Sequence, residues 1–385
     1  MLDKIWSPEF NEADRPYVAA AQKLTDELFA PQAEQLDRTG EYPWGHVEAL
    51  SGANLLGPFI PEDFGGPGLS LVATCGVVEQ VSVGCASTGA ILSAYALGGF
   101  PLLLAGTDEQ KRRYLPGVLK GAGVSFALTE VGAGSDASAV KTTATREPAG
   151  GWRIRGEKIY IGNGGAAAHY VVFAKAEVDG RSALTAFIVE GDAEGVLVDR
   201  YEDKMGIRGT KTSNLKLDTV VGDDAVLGEL GRGMRLAMRT LNVGRITVAA
   251  QSTGLALAAL EAAATEASRR STFGKPIIDH QGIGFQIADV ATQVSAARMM
   301  TFEAARAYDA GKDVSVLGAM TKLFASEAAH LAADVAVQVF GGDGYCRPCV
   351  AERLYRDQRV LQIYEGSSEI QRLVIGRAMK VAVDA

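Results

Sequence analysis

Residues 152–161 read WRIRGEKIYI, and behind them follow HYVVFAKAE (169–177), SALTAFIVE (182–190), GVLVD (195–199) and SNLKLD (213–218). Each is a short apolar or alternating run closed by Gly, Asp or Asn, a length and spacing that suit strands and turns. Together they predict a small β-barrel or sandwich over residues 123–232. On both sides the texture turns helical. Upstream lie PYVAAAQKLTDELFAPQAEQL (16–36), WGHVEALSGANLL (44–56), LVATCGVVEQVSV (71–83) and TDEQKRRYLPGVL (107–119), with Asp108 read as a helix cap and PEDFGGPGLS (61–70) as a turn-rich break. Downstream, Ile283, Ile287, Val290, Val294 and Ala297 step by four and three along one helix face, and TVAAQSTGLALAALEAAATEA (247–267) is an alanine-rich helix able to pack closely. The fold class is therefore α+β, mainly α: an N-terminal helical domain (1–122), a middle β domain (123–232) and a C-terminal helical bundle (233–385). With no internal repeat, the β segment reads as an insertion between two halves of one helical body.

At 385 residues the chain exceeds a single core, and 47% apolar with 22% charged residues is ordinary globular composition. A net charge of -8 argues against any broad surface for tracking phosphates, so nucleic acid is not an expected partner. The opening MLDKIWSPEFNEADRP lacks the apolar core of a signal peptide, and no uninterrupted apolar run reaches the length of a bilayer. A cytoplasmic protein with no membrane span is expected. Four cysteines agree with a reducing compartment; Cys346 and Cys349 form a CxxC, but no further paired ligands accompany them and no metal is expected.

Two stretches carry residue types suited to chemistry. In LQIYEGSSEIQR (361–372), Gly366 favours a helix end, Ser367 or Ser368 could cap the next helix, and Glu369 falls in its first turn. Glu365 is left on the turn between them. Taken alone it reads as a solvated glutamate at a helix junction. In FALTEVGAGSDASAVKTTA (126–144), Gly132 and Gly134 let backbone approach a ligand, while Thr129 and Ser135 offer hydroxyls. That strip suits the polar edge of a planar cofactor, or equally a flexible loop. Neither GxxxxGK[ST] nor a GxGxxG between strand and helix is present.

Four stretches, ALTEVGAGSDASA (127–139), RRSTFGKPIIDHQ (269–281), QVFGGDGY (338–345) and IYEGSSEIQR (363–372), together resemble the acyl-CoA dehydrogenase flavoproteins, in family order and over nearly the whole chain. The resemblance implies a C-terminal four-helix bundle and FAD in a cleft between it and the β domain. By motif, Phe126, Leu128, Thr129, Gly134 and Ser135 would line the flavin, and Tyr160, Ile161 and Gly162 its other side. Arg270, Ser271, Thr272 and Phe273, with His280, Gln281, Gln338, Gly341 and Gly342, would reach the FAD of a neighbouring subunit, and Ser367 and Glu369 join the cofactor shell. Such sharing implies a homotetramer, a dimer of dimers. Glu365 takes the place of the catalytic base that removes the proton α to a thioester carbonyl, and Arg245 that of an arginine orienting its loop. Ser135, Asn242, Gly244, Arg245, Tyr364 and Gly366 would meet the substrate, an acyl-CoA or acyl carrier protein thioester.

Three positions depart from the family pattern. Tyr160, Ile161 and Gly162 stand where relatives carry Trp-Ile-Thr or Trp-Ile-Ser, so a hydroxyl that bonds flavin N5 is missing. Asn242 replaces an aspartate, and CRPCVAER (346–353) replaces an acidic, aromatic and proline run. Dehydrogenation with electrons leaving to an electron-transfer flavoprotein is the first expectation. An O2-using oxidase or oxygenase acting on a CoA thioester is the alternative, followed by a non-catalytic subunit of a mixed oligomer.

Overall fold

The computed structural model describes residues 2–384. Six helices come first: α1 (Arg15–Leu24), α2 (Ala30–Thr39), α3 (Trp44–Gly52), α4 (Leu71–Gly84), α5 (Ala86–Ala105) and α6 (Asp108–Leu119). Strands β1 (Val124–Ala127), β2 (Thr143–Arg146), β3 (Trp152–Gly162), β4 (His169–Val178), β5 (Arg181–Glu190), β6 (Val196–Tyr201), β7 (Thr212–Val221) and β8 (Val226–Leu227) form the middle part. Then come α7 (Gly233–Arg269), the small hairpin β9 (Ser271–Thr272) and β10 (Lys275–Pro276), α8 (Gln281–Asp309), α9 (Ser315–Phe340), α10 (Gly342–Tyr345), α11 (Val350–Gln358) and α12 (Ser368–Asp384). The helical, β, helical order matches the expectation. One cap does not: Thr107, not Asp108, closes the α6 N-terminus, in a capping box with Gln110. Helix register puts Thr107 at the cap and leaves Asp108 as the first helical residue, beside the positive helix end.

The eight strands make one mixed sheet in the order β6-β7-β3-β2-β4-β5-β8, with β1 added in parallel to β4. β4 explains why its sequence reads as a continuous apolar run. Tyr170, Val172 and Ala174 pack with Trp152, Phe187 and Leu215 inside the β part, whereas Val171 and Phe173 turn the other way into the helical core with Tyr95 and Val124. A strand covered on both faces has no polar side to show. The same contact brings α5 against β1, where a Cβ on Gly98 would stand 1.8 Å from the Val124 carbonyl oxygen. Only a glycine fits there.

α7 runs through the body, packed on α4, α5, α8 and α9. Its facing residues are small, among them Ala249, Ala256, Ala259 and Ala263, and they meet Ala325, Ala329, Ala332 and Ala336 of α9. The stripe read on α8 lies inward, with Val290, Val294 and Ala297 buried and Ile283 and Ile287 at its margin. One expectation needs correction: α5, α7 and α9 are each long and apolar enough to cross a membrane by length and composition. Ser, Thr and Gly interrupt the run of α5 without charging it, while single charged residues such as Arg245 and Lys322 interrupt those of α7 and α9, and in the fold 72%, 78% and 50% of their most apolar windows are buried within the protein.

A buried ion pair fixes the loop between β1 and β2. Lys158 of β3, with no exposed side-chain area, donates to Glu130 Oε1 at 2.8 Å, to the Leu128 carbonyl at 3.1 Å and to the Phe173 carbonyl at 2.7 Å. Glu130 in turn accepts from the backbone N–H of Lys141 at 2.6 Å and of Thr142 at 3.0 Å. Burial pulls the Lys158 ammonium down to about 8. Burial also pushes on Glu130, but its hydrogen bonds outweigh this and hold the carboxyl below its ordinary range. Removing one member of such a pair leaves a buried charge without its partner. We expect Glu130→Ala to cost about 3 to 5 kcal/mol in urea unfolding; a loss below about 1 kcal/mol, the size of an exposed pair, would contradict this account.

Candidate active site

The helix break at 364–367 is built as read, and more tightly than the sequence suggests. Glu365 has φ +52° and Gly366 φ +91°, two successive left-handed residues. For glutamate this backbone is uncommon and needs support from its surroundings. Support comes from three helices. The Tyr364 hydroxyl donates to Gln251 of α7. Lys322 Nζ of α9 donates to the Gly366 carbonyl at 2.8 Å, and Gln371 Nε2 of α12 donates to that carbonyl at 2.8 Å and to the Glu365 carbonyl at 3.3 Å. Because α12 starts at Ser368, Ser367 takes the cap position, and the Ser368 hydroxyl bonds Glu327 instead at 3.1 Å. Glu369 is exposed, its carboxyl held low by the Ser367 hydroxyl.

Glu365 is half-buried, with one carboxylate oxygen withdrawn from solvent, which overturns the reading of these residues taken alone. Its Oε2 is shut off from water and has no hydrogen-bond partner among the described residues. A Cβ built on Gly244 of α7 would stand 2.1 Å from that oxygen and 3.2 Å from Leu97 Cδ1 of α5. The slot is therefore defined by a missing side chain. Beside it Arg245 is 5% exposed, donates from Nη1 to Asn242 Oδ1 at 3.0 Å, and has a buried Nε without a partner among the described residues. Desolvation raises the Glu365 pKa to about 7, against the pull of Lys322 and Arg245, whose charges favour the carboxylate. A carboxyl of that pKa, open on one oxygen and walled by apolar atoms, is suited to taking a proton from carbon near neutral pH.

The small-residue strip lies at the end of β1 and in the loop that follows it. Gly132, Gly134 and Ser135 are exposed, and nothing stands within 4 Å of a Cβ on either glycine. Phe126 is half-buried against Phe173 at 4.8 Å, and Thr129 is half-buried with its carbonyl accepting from Ile159 at 2.9 Å. Leu128 is 6% exposed, so its side chain belongs to the core and only its backbone can face a ligand. On β3, the pairing with β7 shifts register between Lys158 and Ile161, and Tyr160 at φ +56° swings out to 62% exposure. The bulge re-aims this ring while keeping Ile161 buried. Gly162 follows, its carbonyl accepting from Ser125 at 2.8 Å, with the Cβ of Ala94 3.7 Å from where its own would be. An open glycine strip, flanking hydroxyls and two aromatic rings fit a planar cofactor with a polar edge. A groove of about 460 Å³ is lined by Val131, Tyr160, Arg200 and Lys216 and does not include Glu365.

The remaining predicted residues gather elsewhere. Arg270 Nη1 donates to the Phe340 carbonyl at 2.9 Å, next to exposed Gly341, Gly342 and Gln338. The His280 ring bonds the Thr272 carbonyl at 3.1 Å, exposed Ser271 and Gln281 lie alongside, and Phe273 at the hairpin tip is 97% exposed. Arg269, the last residue of α7, follows Arg245 by 24 residues, about 36 Å at 1.5 Å per residue, and Arg270 comes next. One chain thus brings base and arginine together, and sets this second cluster apart. Lys322, Gln371, Gln251 and Leu97 escaped sequence reading; the one signal was a lysine within the apolar stretch GAMTKLFASEAA of α9.

The tightness at Gly244 is directly testable. Gly244→Ala must displace the carboxylate, and a misplacement near 1 Å costs about 100-fold in a positioned proton transfer. We expect that loss of turnover with unchanged thermal stability of the fold; native turnover would show that the carboxylate does not occupy this slot in the working enzyme.

The acyl-CoA dehydrogenase N-terminal, middle and C-terminal domain families match residues 11–122, 125–220 and 231–380. An acyl-CoA dehydrogenase of Bacillus subtilis is 42% identical over 352 residues, covering 90% of this chain and 93% of that protein. The structure of butyryl-CoA dehydrogenase from Megasphaera elsdenii superposes with TM-score 0.94 at 36% identity, over 97% of this chain and 99% of that one. An acyl-CoA dehydrogenase complexed with FAD from Bacillus anthracis superposes with TM-score 0.91 at 31% identity, over 100% of this chain and 70% of that one. The chain belongs to the acyl-CoA dehydrogenase family, as an oxidoreductase with FAD for its cofactor.

Proposed function

We propose that this enzyme dehydrogenates an acyl-CoA thioester between its α and β carbons, with Glu365 as the base. The observation that carries the reading is the Glu365 carboxyl, raised to about 7 in a slot shaped by Gly244. FAD, when bound, supplies the acceptor for the β-hydride. Phe126, the Leu128 backbone, Thr129, Gly134, Ser135 and Tyr160 to Gly162 hold it, and the Glu365 carboxylate takes the α proton. The Glu365 backbone N–H stands to receive the thioester oxygen as enolate charge develops. Arg245, fixed on Asn242, favours the ionised base and keeps its loop oriented. Likeness to butyryl-CoA dehydrogenase supports a short acyl chain on CoA, and electrons then pass to an electron-transfer flavoprotein. The second cluster, with Phe273 projecting, supports a homotetramer in which Arg270 and its neighbours complete the FAD site of another subunit.

Glu365→Gln is expected to bind FAD and to lose anaerobic bleaching by butyryl-CoA, while the native bleaching rate rises with pH through about 7 as the base ionises. The same ionisation weighs on the fold. A carboxyl whose folded pKa lies above its unfolded value of about 4.3 favours folding at low pH, and that contribution fades as pH climbs to about 7. Glu365→Gln should accordingly gain stability over the native chain across that window. Native bleaching by Glu365→Gln would assign the proton to another group.

An oxidase reading has one observation in its favour, the room beside Gly162, where a small side chain meets Ala94 at ordinary contact distance. Gly162→Thr fills that room, so under this reading the variant is reoxidised by O2 several-fold more slowly than the native enzyme with product bound. Equal and slow reoxidation in both leaves the dehydrogenase.

A further inference from the structure

Lys322 lies in the interior of α9 with its side chain fully buried. An ammonium taken out of water is costly unless its charge is used. Its Nζ donates to the carbonyl of Gly366, the residue after Glu365, at 2.8 Å. Gln371 already gives that carbonyl a hydrogen bond of the same length from a neutral amide. Holding the carbonyl therefore does not by itself require a charge. The groups that face Lys322 come from each element packed around it: Glu365 from the base loop, Arg245 from α7, Glu327 from α9 and Glu369 from α12, with Tyr364 beside Glu365. Glu365 acts on it most strongly among these. Burial lowers the Lys322 ammonium to about 8, so it is charged where Glu365 titrates.

We propose that Lys322 is a positioning residue of the reaction: its tether to the Gly366 carbonyl holds the strained base loop, and its ammonium lowers the pH at which the neighbouring carboxyl becomes a base. The proposal rests on Glu365 being that base. The sign is fixed by charge. A nearby cation favours the carboxylate, so its removal moves the ionisation of Glu365 upward. The two parts of the role separate by substitution, because Lys322→Gln keeps a donor for the carbonyl without the charge and Lys322→Met keeps neither.

The test uses the FAD-loaded enzyme. Without substrate, the infrared carboxyl band of Glu365, assigned by its loss in Glu365→Gln, is titrated in each variant. Both substitutions should raise its midpoint by about one pH unit, which lowers bleaching below the midpoint by about tenfold. Well above the midpoint, Lys322→Gln should regain the native rate, whereas Lys322→Met should stay at least about tenfold slow with KM unchanged. A native midpoint in either folded, FAD-binding variant overturns the electrostatic role, and a native plateau in Lys322→Met overturns the tether. Bleaching that persists in Glu365→Gln overturns the base assignment, and with it this proposal, through a different variant.

Discussion

A carboxylate oxygen with neither water nor a hydrogen-bond partner is among the costlier things a protein can bury. Here that cost falls on Glu365 Oε2, and much of the surrounding architecture bears on it. Gly244 lacks the atoms that would occupy its place, and Leu97 walls the slot. Arg245 and Lys322 limit the rise in its pKa to about 7, where an isolated buried carboxyl would climb further. The backbone beneath it is held left-handed by donors from two helices. The site thus keeps a basic group near neutrality, desolvated and aimed, before any ligand arrives.

The fold serves this arrangement through close approaches. α5 supplies Leu97 to the base and Ala94 to the Gly162 side, and it can do so because Gly98 lets it lie against β1. The Lys158–Glu130 pair fixes the glycine strip from beneath, leaving its outer edge open. The bulge in β3 sends Tyr160 outward while Ile161 stays in the β core, so one strand end carries both a packing residue and an outward-facing ring.

Much of this was legible in the sequence, for physical reasons that differ by residue. The β segment declared itself because its runs were too short for helices, and the break at Glu365 because Gly366 follows it. Glu365 as a solvated residue was the misreading, since nothing local shows that Gly244, more than a hundred positions earlier, faces it. Lys322 was missed because a lysine inside a helix is ordinarily a surface residue, and only the packing of α9 against α7 and α12 turns it inward. Thr107 was passed over for Asp108 because both are capping residue types and the choice depends on one residue of helix register. The apolar length of α5 went unnoticed because serines and glycines break up its hydropathy without adding charge.

The central claim is that Glu365 removes the α proton. Exchange of the α-hydrogens of an acyl-CoA with D2O, followed by mass spectrometry on the FAD-loaded enzyme under anaerobic conditions, tests it most directly. The account predicts wash-in of deuterium by the native chain, faster as pH rises through about 7, and none by Glu365→Gln. Wash-in at the native rate by Glu365→Gln would contradict it.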